Sequence, residues 1–118
     1  MSFETLGLKP ELVKAVQEMG YTHPTKIQAD VLPLALQHKH IVGQSNTGSG
    51  KTAAFVLPIL HHVDSKKWYP QALIVAPTRE LVNQIREEIF ALSKYMKVRS
   101  LAVYGGMSMR YQKEQLER

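Results

Sequence analysis

The stretch that decides the fold is Ser45-Asn46-Thr47-Gly48-Ser49-Gly50-Lys51-Thr52. Glycines let a loop curl closely enough for several backbone N–H groups to point inward and bind phosphate oxygens. Lys51 is placed to reach the β and γ phosphates of a nucleoside triphosphate, and the Thr52 hydroxyl is suited to ligate magnesium. A Gly-rich turn alone explains Gly48 and Gly50, but it does not explain the Lys-Thr pair directly after them. The stretch therefore predicts a phosphate-binding loop.

The segments on both sides of this loop have the patterns that it requires. Residues 41–43 form a short apolar strand before the loop, and residues 51–63 form a strongly apolar helix after it. The positive end of that helix dipole would favour bound phosphate. The general motif has glycine at the position of Ser45, where a small residue can serve the same bend. A strand, a loop and a helix in this order favour a P-loop domain.

Helices and strands alternate along the rest of the chain. Apolar residues at helical spacing predict a helix from Pro10 to the glycine at position 20, and a second helix from Thr25 with a kink at Pro33. Further helices are predicted over residues 78–95 and from residue 108 to the end. Strands are predicted at residues 41–43, 72–76 and 98–104, and the unbroken apolar run 72–76 is typical of a strand covered on both faces. The alternation predicts an α/β domain, with a parallel sheet flanked by helices.

Composition limits the classes of function. The 118 residues suit one domain or part of one, and 15 Lys and Arg against 10 Asp and Glu give a net charge of +5. A basic excess favours polyanionic partners such as nucleic acid, although a solvated basic surface explains it equally well. The absence of cysteine excludes disulfides and thiolate metal sites, and the five histidines lack metal-ligand spacing. No apolar run approaches the length of a membrane span, so we expect no membrane partner.

Two helix starts carry residues with both a structural and a functional interpretation. Thr25 and Gln28 fit a capping box, in which Thr25 is the N-cap and Gln28 reaches back to its backbone N–H. Thr78 fits an N-cap as well, and Glu80 is favourable near the positive end of the next helix. The same helix start offers N–H groups, a hydroxyl and the Arg79 guanidinium to a phosphate, although Arg79 could equally pair with a carboxylate.

Four segments together resemble the DEAD-box family of ATP-dependent RNA helicases. Residues 20–28, Gly-Tyr-Thr-His-Pro-Thr-Lys-Ile-Gln, are similar to its Q motif, and residues 47–55 look like its phosphate loop running into a helix. Pro77-Thr78-Arg79-Glu80-Leu81 with Gln84 resembles its next motif, and Gly105-Gly106 its double-glycine element. The family usually has alanine where this chain has Ser45. The resemblance covers residues 1–118 and implies the N-terminal part of a RecA-like domain, with residues 1–28 as the Q-motif region.

The resemblance implies roles for particular residues. It implies that Gln28 reads the adenine edge, that Phe3 packs on the adenine ring and that Thr22 lines the base pocket; for Phe3, an anchor in the core is the competing interpretation. The two glycines would let the backbone approach the RNA sugar-phosphate closely, or they form only a tight turn. ATP and Mg²⁺ are the implied cofactors, and Thr52 is the implied magnesium ligand. The implied nucleotide-binding residues are Phe3, Tyr21, Thr22, Gln28, Ser45, Asn46, Thr47, Gly48, Ser49, Gly50, Lys51 and Thr52, of which Lys51 and Thr52 are catalytic. The implied RNA-binding residues are Pro77, Thr78, Arg79, Glu80, Gly105 and Gly106, within residues 77–84 and 104–106.

Hydrolysis also needs an acidic residue at a strand end, and the sequence does not supply one. The only aspartates are Asp30 and Asp64, and neither follows an apolar strand. The Asp-Glu-Ala-Asp motif and the second RecA-like domain of the family do not occur. We therefore expect a truncated helicase that binds ATP and RNA, contacts RNA without regard to base sequence, and is inactive and weakly stable alone. The full-length enzyme is expected to couple ATP hydrolysis to RNA duplex unwinding.

Two alternatives stay open at this point. One is a non-catalytic module that binds ATP or RNA as this short chain, and the other is a different P-loop NTPase. The segment Lys66-Lys67-Trp68-Tyr69 has the basic and aromatic character of a nucleic-acid stack, although a solvated loop is the simpler interpretation. The sequence start lacks a secretory signal, so we expect an intracellular protein, cytoplasmic or, in a eukaryotic source, nuclear.

Overall fold

Helices account for all the regular secondary structure in the described part of the chain. The computed structural model describes residues 2–46, 50–106 and 109–117, with only the backbone at position 117. Thr47, Gly48 and Ser49 of the predicted phosphate loop lie outside these residues. The elements are a 3-10 helix, Glu4–Leu6, and the helices α1 Pro10–Glu18, α2 Lys26–Ala35, α3 Lys51–His62, α4 Arg79–Leu92 and α5 Met109–Glu117.

The helices begin where the sequence predicts. Pro10 is the first residue of α1, where its missing N–H costs no helical hydrogen bond. Gly20 follows the end of α1 with a φ of +86°, a left-handed conformation that glycine adopts without strain. The predicted capping box at α2 is confirmed, because Thr25 and Gln28 satisfy each other's backbone N–H groups. The predicted N-cap of α4 is confirmed too, since the Thr78 hydroxyl accepts the Leu81 N–H at 3.1 Å.

The core lies between α1, α2, α3 and α4. Helix α2 packs along α3, and α4 packs against both α1 and α3. Complete burial of a large aliphatic side chain contributes about 1.5–3 kcal/mol, so this cluster is the main source of stability in the described chain. Its fully buried large side chains are Leu12 and Val16 of α1, Leu32 of α2, Val56, Leu57 and Leu60 of α3, and Leu92 of α4.

The segments predicted to be strands do not form a hydrogen-bonded sheet within the described residues. Residues 41–43, 72–76 and 98–104 have no strand assignment there. Ile74 and Ala76 pack against the helical core, whereas Leu73 and Val75 are 87% and 85% exposed. The prediction that residues 72–76 are covered on both faces is therefore wrong in this structure. The described helices lie against only one side of the segment, and they leave the alternate side chains in solvent.

Candidate nucleotide and RNA sites

Gly50 forms the junction between the phosphate-loop sequence and α3. Its φ is +88°, which favours glycine, and its carbonyl accepts the Ala54 N–H in the first turn of the helix. Gly50 is the N-cap and has no side chain to cover the helix start, where backbone N–H groups favour an anion. Lys51 is exposed and Thr52 is half-buried beside this helix start. These described residues thus present a donor-rich surface with a cation, as phosphate binding requires.

Gln28 connects the start of α2 to the phosphate loop. The side chain is 2% exposed, and its Nε2 donates to the Gly50 carbonyl at 3.2 Å. Its Oε1 accepts the Thr25 N–H at 3.0 Å. A Cβ at Gly50 would lie against Gln28 Nε2 and only 2.9 Å from Thr25 Oγ1. The glycine is therefore required by close packing as well as by its backbone conformation.

The other residues implied in base binding are divided between the core and the surface. Phe3 is 3% exposed and belongs to the hydrophobic core, as an N-terminal anchor does. Tyr21 and Thr22 are exposed. Partial burial of the Tyr21 ring raises the pKa of its phenol, and the nearby Glu88 carboxylate of α4 raises it further. Adenine packing by Phe3 stays a prediction. The remaining described residues of the loop are Ser45, which is half-buried, and Asn46, which is exposed.

Replacing Gln28 by alanine should destabilise the chain by about 1–3 kcal/mol, because it leaves the Thr25 N–H without its partner and leaves the Gly50 carbonyl with only the Ala54 N–H. If Gln28 also reads adenine, the same change should narrow the preference for ATP over GTP. Thermal unfolding and competitive nucleotide binding measure the two effects separately. Gln37→Ala is the control, since Gln37 is exposed just after α2. A lower melting temperature with an unchanged nucleotide preference would limit Gln28 to its structural role.

The start of α4 and the double glycine form the second candidate site. The Arg79 guanidinium lies over the Tyr104 ring, with its Cζ 5.7 Å from the ring centroid. A Cβ at Gly106 would lie 3.2 Å from both terminal nitrogens of Arg79, and the φ of Gly106 is +91°. The cation therefore occupies the space that a side chain at Gly106 would need. Two segments separated by more than twenty residues meet at this point.

The remaining predicted RNA-contact residues border this site on the surface. Pro77, Glu80 and Gly105 are exposed, and Thr78 is held by its capping bond. The structure shows no carboxylate paired with Arg79 among the described residues, where its guanidinium lies over the Tyr104 ring and fills the space beside Gly106. An exposed helix start beside a guanidinium is a suitable surface for a phosphate group.

Sequence reasoning placed Tyr104 within the RNA-contact segment 104–106 without giving it a role, and it missed Gln112. Tyr104 supplies the ring beneath Arg79, and the Tyr104 N–H donates to Gln112 Oε1 at 3.0 Å. Gln112 is 3% exposed in α5, and its bond to the Tyr104 N–H joins the end of the segment 98–104 to that helix. The aromatic residue before the double glycine was a visible signal for Tyr104. No local pattern marked Gln112, because its partner is eight residues away.

Metal-binding clusters and membrane-spanning helices are absent from the described ranges. No group of three or more His, Cys, Asp and Glu side chains there is arranged to hold a metal ion. None of the helices in those ranges is both long enough and apolar enough to cross a membrane. The candidate sites that the motifs indicate are the clusters around Gly50 and Arg79.

Comparison with known proteins defines the family. The family model described as DEAD/DEAH box helicase matches residues 25–118, which include Gln28, the phosphate loop, Arg79 and the double glycine. The chain belongs to the DEAD/DEAH box helicase family. A curated member, the DEAD-box ATP-dependent RNA helicase CshA of Geobacillus kaustophilus, is 47% identical over 111 residues, which are 94% of this chain and 24% of the relative. The chain thus spans about a quarter of the length of that relative.

Solved structures of the family share the fold of this chain. The crystal structure of the RNA-helicase Prp28 from Chaetomium thermophilum bound to ADP matches with a TM-score of 0.85 and 40% identity, over 98% of this chain and 30% of that one. S. cerevisiae Dbp5 bound to RNA and ADP BeF3 matches with a TM-score of 0.82 and 37% identity, over 92% of this chain and 29% of that one. The helical arrangement described above is therefore that of a DEAD-box helicase domain.

Proposed function

We propose that this chain supplies the N-terminal part of the ATP-binding domain of an ATP-dependent RNA helicase. In the whole protein, ATP binding and hydrolysis would be coupled to the local opening of RNA duplexes. The observation that carries the proposal is that the motif residues meet in space in two clusters, Gln28 with Gly50 and Arg79 with Gly106. The similarity to a helicase solved with RNA and ADP BeF3 supports both ligands.

The nucleotide half of the proposal rests on the cluster around Gly50. The left-handed Gly50 and the open start of α3 suit a phosphate group, and Lys51 and Thr52 follow directly. Lys51 would bind the terminal phosphates, and Thr52 would ligate Mg²⁺. Gln28 is hydrogen-bonded to Gly50, so a base contact at Gln28 would be linked mechanically to the phosphate loop. ATP bound there would transfer its γ-phosphoryl group to water. Lys51, Thr52 and Gln28 would bind and orient the ATP.

The RNA half rests on the cluster around Arg79. A guanidinium, the N–H groups of a helix start and an exposed glycine turn recognise the sugar-phosphate backbone, which is the same for every base. Binding would therefore be independent of RNA sequence, as a helicase requires. The Arg79 guanidinium lies over the Tyr104 ring, and this contact would reduce the entropy lost when Arg79 pairs with a phosphate.

The wider architecture is also part of the proposal. Residues 41–43, 72–76 and 98–104 would be parallel strands of a RecA-like sheet, whose exposed side chains, such as Val42 and Leu73, need a second covering layer. A second RecA-like domain would complete the catalytic site in the whole protein. Activity on RNA also favours an intracellular, cytoplasmic location, which cell fractionation with an antibody to this chain would test.

Arg79→Ala should weaken the binding of single-stranded RNA by a similar factor for every sequence. It should also reduce the slope of log affinity against log salt by about 0.7, because one phosphate contact with a single strand is lost. Fluorescence anisotropy of labelled oligouridylate and oligoadenylate over a salt series measures both quantities. We expect no loss of folded structure, since Arg79 is exposed.

Arg86→Ala is the matched control, because Arg86 is exposed on the same helix two turns further along. It should leave both affinity and salt slope unchanged. Equal effects of the two variants would mean that general basic charge, rather than the cluster around Arg79, attracts RNA. A strong base preference of the unmodified chain would count against the helicase function.

A further inference from the structure

The loop of residues 64–71, which follows α3, has a fixed shape. The Asp64 N–H donates to Gln71 Oε1 at 2.9 Å, and Gln71 Nε2 donates to the Asp64 carbonyl at 2.8 Å. The Asp64 carboxylate accepts the Lys66 N–H at 3.0 Å, and the Lys67 N–H donates to the Asp64 carbonyl at 3.1 Å. These bonds close the base of the loop and form a turn at its start. The residues at its tip are therefore held in a defined position.

The loop tip exposes two aromatic rings beside two cations. Trp68, the only tryptophan in the chain, is 94% exposed, and Tyr69 is 60% exposed. Lys67 Nζ lies 5.8 Å from the centroid of the Tyr69 ring. Lys66, the residue before Lys67, is also exposed. Large aromatic rings usually bury much of their surface on folding or on binding. A preorganised loop that keeps its tryptophan in solvent thus has the character of a binding surface.

A groove extends from this loop between the ends of α2 and α3. Its volume is about 490 Å³, and its lining includes the apolar residues Ala35, Pro58 and Ile59. The polar side chains that line it are His62, Lys67, Tyr69 and Gln71. Asp64 is the only acidic residue of the loop, and its carboxylate accepts the Lys66 N–H within the turn. The surface offered to a ligand is therefore aromatic and cationic.

We propose that the loop 64–71 and this groove form a second binding site for single-stranded RNA. A base stacks on Trp68, a neighbouring base enters the groove beside Tyr69, and Lys66 and Lys67 bind the flanking phosphates. The adjacent lysines favour this ligand over a protein, since protein interfaces are depleted in lysine. The inference rests on the proposed function only in taking RNA as the polyanion.

This site is separate from the cluster around Arg79. The segment 72–76 lies between the loop and the start of α4, and its alternating exposure is that of an extended chain. An extended chain rises about 3.3 Å per residue, so the two surfaces lie at opposite ends of a segment roughly 15 Å long. One RNA strand that reaches both surfaces would be held more tightly than by either alone.

The single tryptophan makes the site directly observable. Titration of the 118-residue chain with a single-stranded oligouridylate of about ten nucleotides should quench its tryptophan fluorescence, because a stacked base quenches the ring. The quenching should persist in Arg79→Ala, which acts at the other surface. Inorganic polyphosphate, which has charge but no bases, should not quench. Lys67→Gln should reduce the salt slope of the quenching by about 0.7, whereas Lys97→Gln, an exposed control, should not.

The contribution of the ring itself is measured by anisotropy of labelled oligouridylate in the Arg79→Ala background. Trp68→Ala should weaken the remaining binding roughly tenfold, and Phe90→Ala, which removes an 81% exposed ring from α4, should leave it unchanged. Absence of quenching overturns this site and leaves the proposed function intact if RNA binding still depends on Arg79. Equal quenching by polyphosphate or by polyglutamate also overturns it, since charge rather than base stacking would then explain the signal.

Discussion

Gly50→Ala should destabilise the chain by about 2–5 kcal/mol and abolish ATP binding. The φ of Gly50 is +88°. In this left-handed region a residue with a Cβ has a conformational free energy about 1–2 kcal/mol less favourable than in the right-handed region. The new methyl group would also overlap Gln28 Nε2 and approach Thr25 Oγ1 to 2.9 Å. Gln28 is buried, so its displacement breaks the bonds to the Gly50 carbonyl and the Thr25 N–H. Each buried polar group left without a partner costs about 1–3 kcal/mol.

Gly20→Ala is the matched control for this prediction. Gly20 has nearly the same φ, +86°, but no heavy atom lies within 4 Å of the position that its Cβ would take. Gly20→Ala should therefore lower the free energy of unfolding by only about 1–2 kcal/mol, which is the cost of the left-handed backbone. Urea unfolding measures the free energy of unfolding of Gly50→Ala and of Gly20→Ala, and the difference between them is the contribution of the packing at Gly50. Equal losses would mean that Gln28 and Thr25 move aside without cost, so that the loop does not depend on this packing.

The parts of the fold that the sequence predicted correctly depend on neighbours within four residues. The Thr25–Gln28 capping box and the N-cap at Thr78 are bonds between residues three positions apart. Gly20, predicted as the residue after the last turn of α1, has the left-handed φ of +86° that the absence of a Cβ allows. Such local features are set by backbone geometry and side-chain reach, and so a single sequence contains enough information to predict them.

The parts that were not predicted depend on distant contacts. The bond from Gln28 to Gly50 joins residues 22 positions apart, and the stacking of Arg79 on Tyr104 joins α4 to the segment after it. Residues 72–76 formed an apolar run that predicted burial on both faces, yet Leu73 is exposed because the described helices cover one side only. Periodicity indicates which residues prefer burial, but the packing of other elements decides which are buried.

Lys51→Ala should weaken the binding of Mg²⁺-ATP by about tenfold or more while leaving the melting temperature unchanged. A charged hydrogen bond contributes about 1.5–3 kcal/mol, which corresponds to roughly one to two orders of magnitude in affinity. Lys51 is exposed at the first position of α3, so its truncation should remove no packing from the core. Isothermal titration calorimetry measures the affinity, and thermal unfolding checks the fold.

Two comparisons make this result specific to the phosphate loop. Lys39→Ala removes an exposed lysine that lies outside the loop, and it should leave ATP affinity unchanged. ADP binding should fall less than ATP binding in Lys51→Ala, because ADP lacks the γ phosphate that Lys51 would contact. Gly50→Ala, in contrast, should reduce both stability and affinity. Unchanged ATP affinity in a folded Lys51→Ala chain would show that residues 45–52 are a structural turn, because a phosphate-binding loop depends on its lysine for electrostatic attraction as well as on its backbone N–H groups.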